Sequence, residues 1–465
     1  MNYFMEKKFL MMAAAAAMFA ACSNESDPVQ QAQEVAKAAE QVAQQIPVQF
    51  DAYMNRATTR TETTTSSLQA STSGFGVFGY YTDNVHYDQA ALPNFFYNQK
   101  VTYASVSSAW EYNPVKYWPN EFTDAEADET DRISFFAYGP YVEVVPATGK
   151  LSSSTADTGI TGLSRNSKSG DPLVKYVVSF DATDANPVDL VWGVTMTTNE
   201  WSDAADETQG TEGLPWLDVR RPATTSTAKD QKLKFNFIHA LASLNVKIKA
   251  GGDFTQTGTN GEDKTKIFVR SISFEGLATK GSLNLNNTVP SQALWYDYSG
   301  SGEIVPEVVT IYDGLKDGSE GTFAEASNEK LRGLNTAIIQ KDNTATGVTT
   351  TEVNLFASST ADDVVYVIPT GEELSVTIVY DVETADANLA TFLSDGKTHG
   401  SKITNRITKV VKDNQATPSS IMLENNKKYV ITLILGMNDV DFEAEVESFD
   451  TTEVTGSADL PKQER

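Results

Sequence analysis

Apolar and polar positions alternate along much of this chain with a period of two, the repeat that turns one face of a β-strand to a core and the other to water. In DVVYVIPTGEELSVTIVYDV, Leu374, Val376, Ile378 and Tyr380 alternate with polar residues, and PTGEE predicts a turn back from Val364–Ile368. DVDFEAEVESF sets Val440, Phe442, Ala444 and Val446 on one side and Asp441, Glu443, Glu445 and Glu447 on the other, a charged face that must meet water. KKYVITLILG is apolar on both faces, which predicts a central strand. Earlier runs (GFGVFGYY, VTYASV, RISFFAYGPY, KYVVSF, DLVWGVT, KIFVRSISFEGL, GSLNLN) are short and fenced by Gly, Pro, Asn and Asp. Such spacing belongs to an all-β sandwich rather than to βαβ units.

KLKFNFIHALASLNVKIK breaks phase. Leu233, Phe235 and Phe237 share one face, but Leu244, Val246 and Ile248 fall on the opposite one. The break at His239–Ser243 predicts a bulge, a turn of helix or a crossing between sheets. His239 sits there with no second histidine nearby, which predicts a side chain bonding loop backbone. A polar span from about Thr197 to Asp230 is the best candidate for an inter-domain connection, placing a division at 230/231.

The N-terminal region has a different pattern. Lys7 and Lys8 precede a continuous apolar or small run, Phe9–Ala21, too short to cross a bilayer as a helix and shaped like a secretory signal. Ala20, Ala21 and Cys22 at its end resemble the small-small-Cys lipobox of bacterial lipoproteins, which implies a thiol carrying diacylglycerol and a signal cut just before it. With an added N-acyl chain, at about 0.8 kcal/mol per buried CH₂, such a cysteine holds a membrane stably. PVQQAQEVAKAAEQVAQQ (28–45) is helical in pattern but has little apolar face, so it reads as a tether. IPVQFDAYMNR then places Ile46, Val48 and Phe50 on one face of a strand and Pro47, Gln49 and Asp51 on the other. The polar stretch ATTRTETTTSSLQASTS after it cannot bury enough surface to fold alone. A lone strand between a tether and such a stretch must pair with something.

Composition narrows the function. The 465 residues carry a formal net charge of −26, which argues against nucleic acid and against adsorption to anionic lipid. Cys22 is the sole cysteine, so lipidation leaves neither a disulfide nor a thiol nucleophile. The three histidines, His86, His239 and His399, are not at metal-ligand spacing, and no metalloprotease, hydrolase, P-loop or dinucleotide fingerprint occurs. DAEADETD (124–131) and the aspartates 181, 184 and 189 lack the glycine and terminal glutamate of a calcium loop and read as solvated loops. We therefore expect no enzyme, no cofactor and no metal. The aromatics of WEYNPVKYWP (Trp110, Tyr112, Tyr117, Trp118) would stack on sugars if exposed; burial as sandwich packing is the expected alternative.

These same stretches resemble the fimbrillin or Mfa-like family, the type V pilins of Bacteroidetes. The matching pieces are the lipobox at Cys22, WEYNPVKYWP, ISFFAYGPY (133–141), DLVWG (189–193), FNFIHALASLNV (235–246) and KKYVITLILG (427–436). The resemblance implies two tandem transthyretin-like Greek-key sandwiches, 61–230 and 231–465, behind a signal peptide (1–21) and a lipidated prosegment (22–60). It implies export to the outer membrane as a lipoprotein, then trimming by an arginine-specific protease at Arg56 or Arg60. The strand at 46–53 would be removed, and a strand of another pilin subunit would fill the groove, with Val440, Phe442, Ala444 and Val446 as the candidate donor or as the last strand of their own domain. Shaft, anchor and tip positions in a fimbrium, with a host or bacterial ligand, are all compatible with this. The alternative is a non-polymerising surface lipoprotein that binds glycan or host protein; a second rival, a secreted hydrolase with a carboxylate pair assembled in space, has no residue pattern in its favour.

Overall fold

A computed structural model describes residues 46–54, 63–70, 73–119, 131–153, 157–180, 188–196, 210–220, 232–250, 265–313, 342–344, 347–349, 353–355, 364–393, 396–414, 418–436 and 440–448. In chain order these hold β1 (Gln49–Tyr53), the six-residue helix α1 (Thr65–Ala70), β2 (Phe75–Asp83), β3 (Phe96–Ala104) and β4 (Ala109–Glu111). Next are β5 (Arg132–Gly139), β6 (Gly159–Leu163), β7 (Leu173–Val177), β8 (Val191–Thr195), β9 (Trp216–Arg220) and β10 (Lys232–His239). β11 (Ala242–Ala250), β12 (Thr265–Leu277), β13 (Lys280–Asn284), β14 (Leu294–Tyr296) and β15 (Glu307–Asp313) follow. The last are β16 (Asp342–Thr344), β17 (Gly347–Thr349), β18 (Val353–Asn354), β19 (Val365–Val367), β20 (Ser375–Ala385), β21 (Gly400–Val410), β22 (Lys427–Leu435) and β23 (Val440–Ser448).

Apart from α1 the regular structure of the described residues is all β, built of sheets packed face to face. The largest sheet runs β1-β10-β8-β5-β2-β3-β4, with β9 also on β5. Its central strands bury both faces, which is why they read as unbroken apolar runs. In β5, Phe136 and Tyr138 face a core shared with the sheet β14-β13-β7-β6, whereas Phe135 and Ala137 face a second, separate core. The sheets β18-β11-β22-β23 (with β19 on β11) and β15-β12-β20-β21 pack together, and their apolar faces continue the first of those cores. β22 lies between β11 and β23, the central position its two-sided apolarity predicts.

The phase break is a crossing between sheets. β10 ends at His239 in the first sheet, Ala240 and Leu241 are wholly buried, and β11 begins at Ala242 in another sheet. PTGEE is also a crossing, not the hairpin turn expected: β19 pairs with β11, whereas β20 pairs with β12 and β21. The span 197–230 contributes β9, whose Trp216 and Val219 are fully buried. Hydrogen-bonded ladders run across position 230/231, since β10 pairs with β8 and β13 pairs with β7.

Candidate functional site: the first strand and its groove

β1 and the residues just before it fill a slot in the largest sheet. Gln49 to Tyr53 pair in parallel with Lys232 to Asn236 of β10. On the opposite side, Val48 N–H donates to Lys116 O (2.9 Å) and Trp118 N–H donates to Ile46 O (2.9 Å). The strand therefore closes the gap between β10 and the segment after β4. Its inward phase is Val48, Phe50 and Ala52, all essentially inaccessible, with Ile46 half-buried. Gln49 and Tyr53 face outward. Ala52 continues the phase that Ile46, Val48 and Phe50 begin, and the sequence pattern already contained it.

Phe50 is the anchor. Its ring lies 5.4 Å from Tyr112, 5.8 Å from Phe96, 5.9 Å from Phe235 and 6.0 Å from Phe135, mostly edge-on or tilted, with Phe235 stacked. Gly193 lets Phe235 lie across β8: a Cβ there would stand 2.9 Å from the Phe235 ring and 3.1 Å from Ala137. Burying Val48 and Phe50 stabilises the closed sheet by about 1.5–3 kcal/mol each. The far wall is tied down as well. The Tyr112 hydroxyl donates to Val48 O (2.8 Å) and lies 3.3 Å from Lys116 O, and burial pushes its pKa up to about 12. Lys116 donates its Nζ to Phe95 O and stands 4.8 Å from the Phe96 ring centre, with burial drawing its pKa down. Trp110 and Trp118 are buried in this core and Tyr112 partly so, leaving only Tyr117 exposed, so WEYNPVKYWP forms groove wall and not a sugar platform.

The chain leaves the groove at Met54 and returns at Thr63. Thr65 Oγ1 donates to Met54 O (3.0 Å), so the two flanks meet. Arg56, Arg60 and Cys22 lie outside the described residues, as do the sequence-predicted signal and tether. The returning flank is well held. Thr63 N–H donates to Asp189 Oδ2 (2.8 Å), Thr64 and Ser67 cap α1 reciprocally, and Leu68 is buried in the groove core. His239 Nδ1 lies 2.7 Å from the same Asp189 oxygen, with both side chains buried. Sequence reasoning expected His239 to bond loop backbone; the structure places its Nδ1 against a carboxylate 50 positions away. Of the aspartates suspected of holding calcium, 181 and 184 fall outside the described residues, and among the described residues no cluster of His, Cys, Asp and Glu could hold a metal ion.

β23 lies elsewhere, at the end of the sheet β18-β11-β22-β23, where among the described residues its strand partner is β22. Val440 and Ala444 are buried there, Phe442 stands in register with Leu433, and Val446 is 44% exposed. Glu443 pairs with Lys249 at 2.7 Å, and Lys409 donates to Val440 O (2.6 Å) beside Asp441. The structure thus assembles the groove around the predicted first-strand residues but does not bring β23 to it.

Comparison with known proteins finds similarity to a fimbrium subunit and to fimbrial proteins of known structure. The chain is 30% identical over 244 residues to the fimbrium subunit Fim1C of Phocaeicola vulgatus, a match spanning 51% of this chain and 50% of that one. The chain therefore matches about half the length of that relative. Among solved structures it is similar to a fimbrial protein from Bacteroides vulgatus (22% identical, TM-score 0.48, over 87% of this chain and 99% of that one). It is also similar to a fimbrial assembly protein from Parabacteroides distasonis (8% identical, TM-score 0.30, over 87% and 99%). No protein-family model matches it. The curated relative agrees with the fimbrillin resemblance drawn from the sequence.

Proposed function

We propose that this chain is a non-enzymatic structural subunit of a cell-surface fimbria that polymerises by exchange of its first strand. The observation that carries this is the position of β1: it fills a closed aromatic groove, yet it is tied to β10 on one side and to a short segment on the other. Among the described residues its ladder is with β10, and its other flank is held by backbone bonds to Lys116 and Trp118. A central strand could not leave so. In this reading the lipid on Cys22 anchors the precursor in the outer membrane, and an arginine-specific protease cuts at Arg56 or Arg60. Residues up to the cut then depart with β1.

The energetics favour departure only after the cut. While the linker is intact it holds β1 at a local concentration on the order of millimolar. Cutting makes β1 a separate peptide that must bind by its own contacts. The emptied groove exposes aromatic surface and the bare edge of β10, a template for an incoming strand. Other pilin subunits are thus the partners, and an adhesion ligand on host or bacterial cells is a role of the assembled fimbria.

The test is to treat the full chain with an arginine-specific protease and follow it by native gel and electron microscopy. Ladders and filaments are expected from the native chain and none from an Arg56→Gln/Arg60→Gln double variant. A cut chain that stays monomeric and binds glycan would replace this reading with that of a surface-binding lipoprotein.

A further inference from the structure

The sheet β15-β12-β20-β21 ends in two strands of opposite charge. β21 carries Lys402, Arg406 and Lys409 and no acid, whereas β15 carries Glu307 and Asp313 and no base. Among the described residues β21 pairs with β20 and β15 with β12, and neither has a second strand beside it. Both ends also show apolar side chains to water: Val308 on β15 is 66% exposed and Ile403 on β21 is 60% exposed. We infer that β15 of one copy of this chain pairs with β21 of another, extending the sheet from copy to copy.

Strand direction allows this without turning either copy over. All three ladders are antiparallel, so β15 and β20 run one way and β12 and β21 the other. A second copy set beside the first in the same orientation brings its β15 antiparallel to β21, with the core-facing phase on the same side in both. The rows across the sheet supply the register. Val308 shares a row with Val410 through Glu275 and Ser375, and Thr310 shares one with Thr408 through Ser273 and Thr377. Asp313 is likewise in the row of Arg406, through Ser271 and Val379. Continued into the next copy, these rows set valine beside valine, threonine beside threonine and acid beside base, all favourable cross-strand pairs. A slide of two residues either way leaves Asp313 opposite Thr404 or Thr408, and a slip of one turns the polar phase inward.

Basic side chains on an edge strand ordinarily ward off another strand. That guard fails against an edge of opposite charge. Lys402 and Lys409 already face carboxylates of their own chain, Asp381 at 3.0 Å and Asp441 at 3.9 Å. Arg406 is exposed and makes no ion pair among the described residues, so it is the base left for an incoming acid. Because the two edges differ, the contact is head-to-tail and repeats instead of closing on itself. It uses neither β1 nor its groove and so goes beyond the strand-exchange reading. In a fimbria assembled as proposed above, it would hold neighbouring filaments together, its many repeats compensating for a short strand pair.

The experiment uses the full, uncut chain with its sole cysteine removed (Cys22→Ser), prepared as two single-cysteine variants, Thr310→Cys and Thr408→Cys. Both positions are exposed. Residues facing each other on paired strands bring their Cβ atoms to about 5 Å, close enough for a disulfide to form with small adjustments. Mixed under mild oxidation, the two variants are expected to give about 10-fold more disulfide dimer than either gives alone. Thr404→Cys in place of Thr408→Cys should give only that background, since it lies four residues along the strand, about 14 Å away. Arg406→Glu in the Thr408→Cys chain is expected to cut the yield about 5-fold, and Asp313→Lys in the Thr310→Cys chain to restore it. A mixed pair that gives no dimer above background, an equal yield with Thr404→Cys, or a loss that the second charge change does not restore would overturn this contact. Strand exchange is untouched by those results, because β1 stays in place throughout; the protease treatment tests it separately.

Discussion

Phe50 touches four aromatic rings from three other strands and the groove wall, and nothing smaller reaches them all. Phe50→Ala is expected to destabilise the uncut chain by about 3–5 kcal/mol, the usual cost of emptying an aromatic seat in a packed core, measured by chemical denaturation. Phe50→Asp should be worse, because it adds a carboxylate without a partner. Unchanged stability in both would place β1 outside the core. Tyr112 supplies a pH test. Its folded pKa, about 12, lies above the ordinary value near 10, so its contribution is whole below pH 10 and is lost as the pH climbs toward 12. Thermal unfolding should shift downward across that window, and Tyr112→Phe should remove part of the slope. Val48 and Phe50 were legible in the sequence because period-two alternation alone assigns them a face. The His239–Asp189 contact was not, because it joins the ends of two strands far apart in the chain. Asp189→Ala leaves the Thr63 amide and the imidazole without their acceptor and is expected to cost about 3–5 kcal/mol by the same denaturation assay.

At the scale of elements, local pattern foretold more than pairing. The strands β20, β22 and β23, the phase break between β10 and β11, and the odd first strand all follow from alternation and its interruption. β9 was hidden because a five-residue strand, WLDVR, sits in a polar span and has only Trp216, Leu217 and Val219 to signal it. The PTGEE segment misled because a turn and a crossing between sheets need the same residues; only the partner strands distinguish them. β1 itself makes a prediction at this scale. Lying at the closure of the sheet, its amides should exchange with solvent deuterium faster than those of β5 and β8 in the uncut chain, and the amides of β10 should lose protection once the linker is cut. Equal protection before and after the cut, with β1 gone, would mean that the rest of the sheet closes over the gap.

For the whole molecule, strand order was the least legible property. Nothing in the residues of β13 says that it will pair with β7, more than a hundred positions earlier, or that β10 will join the sheet of the strands before it. Those ladders are set by which apolar faces can be buried together, a property of the complete fold. The charge of −26 does act at this scale: like-charged copies repel in solution, and any association between them has to overcome that repulsion. The most direct measurement is native mass spectrometry of the arginine-protease-treated chain as it assembles. Each joint formed is expected to be accompanied by loss of one fragment carrying residues 46–53, so that oligomers weigh less than the sum of intact subunits by that fragment per joint. Oligomers that retain every such fragment would contradict the exchange.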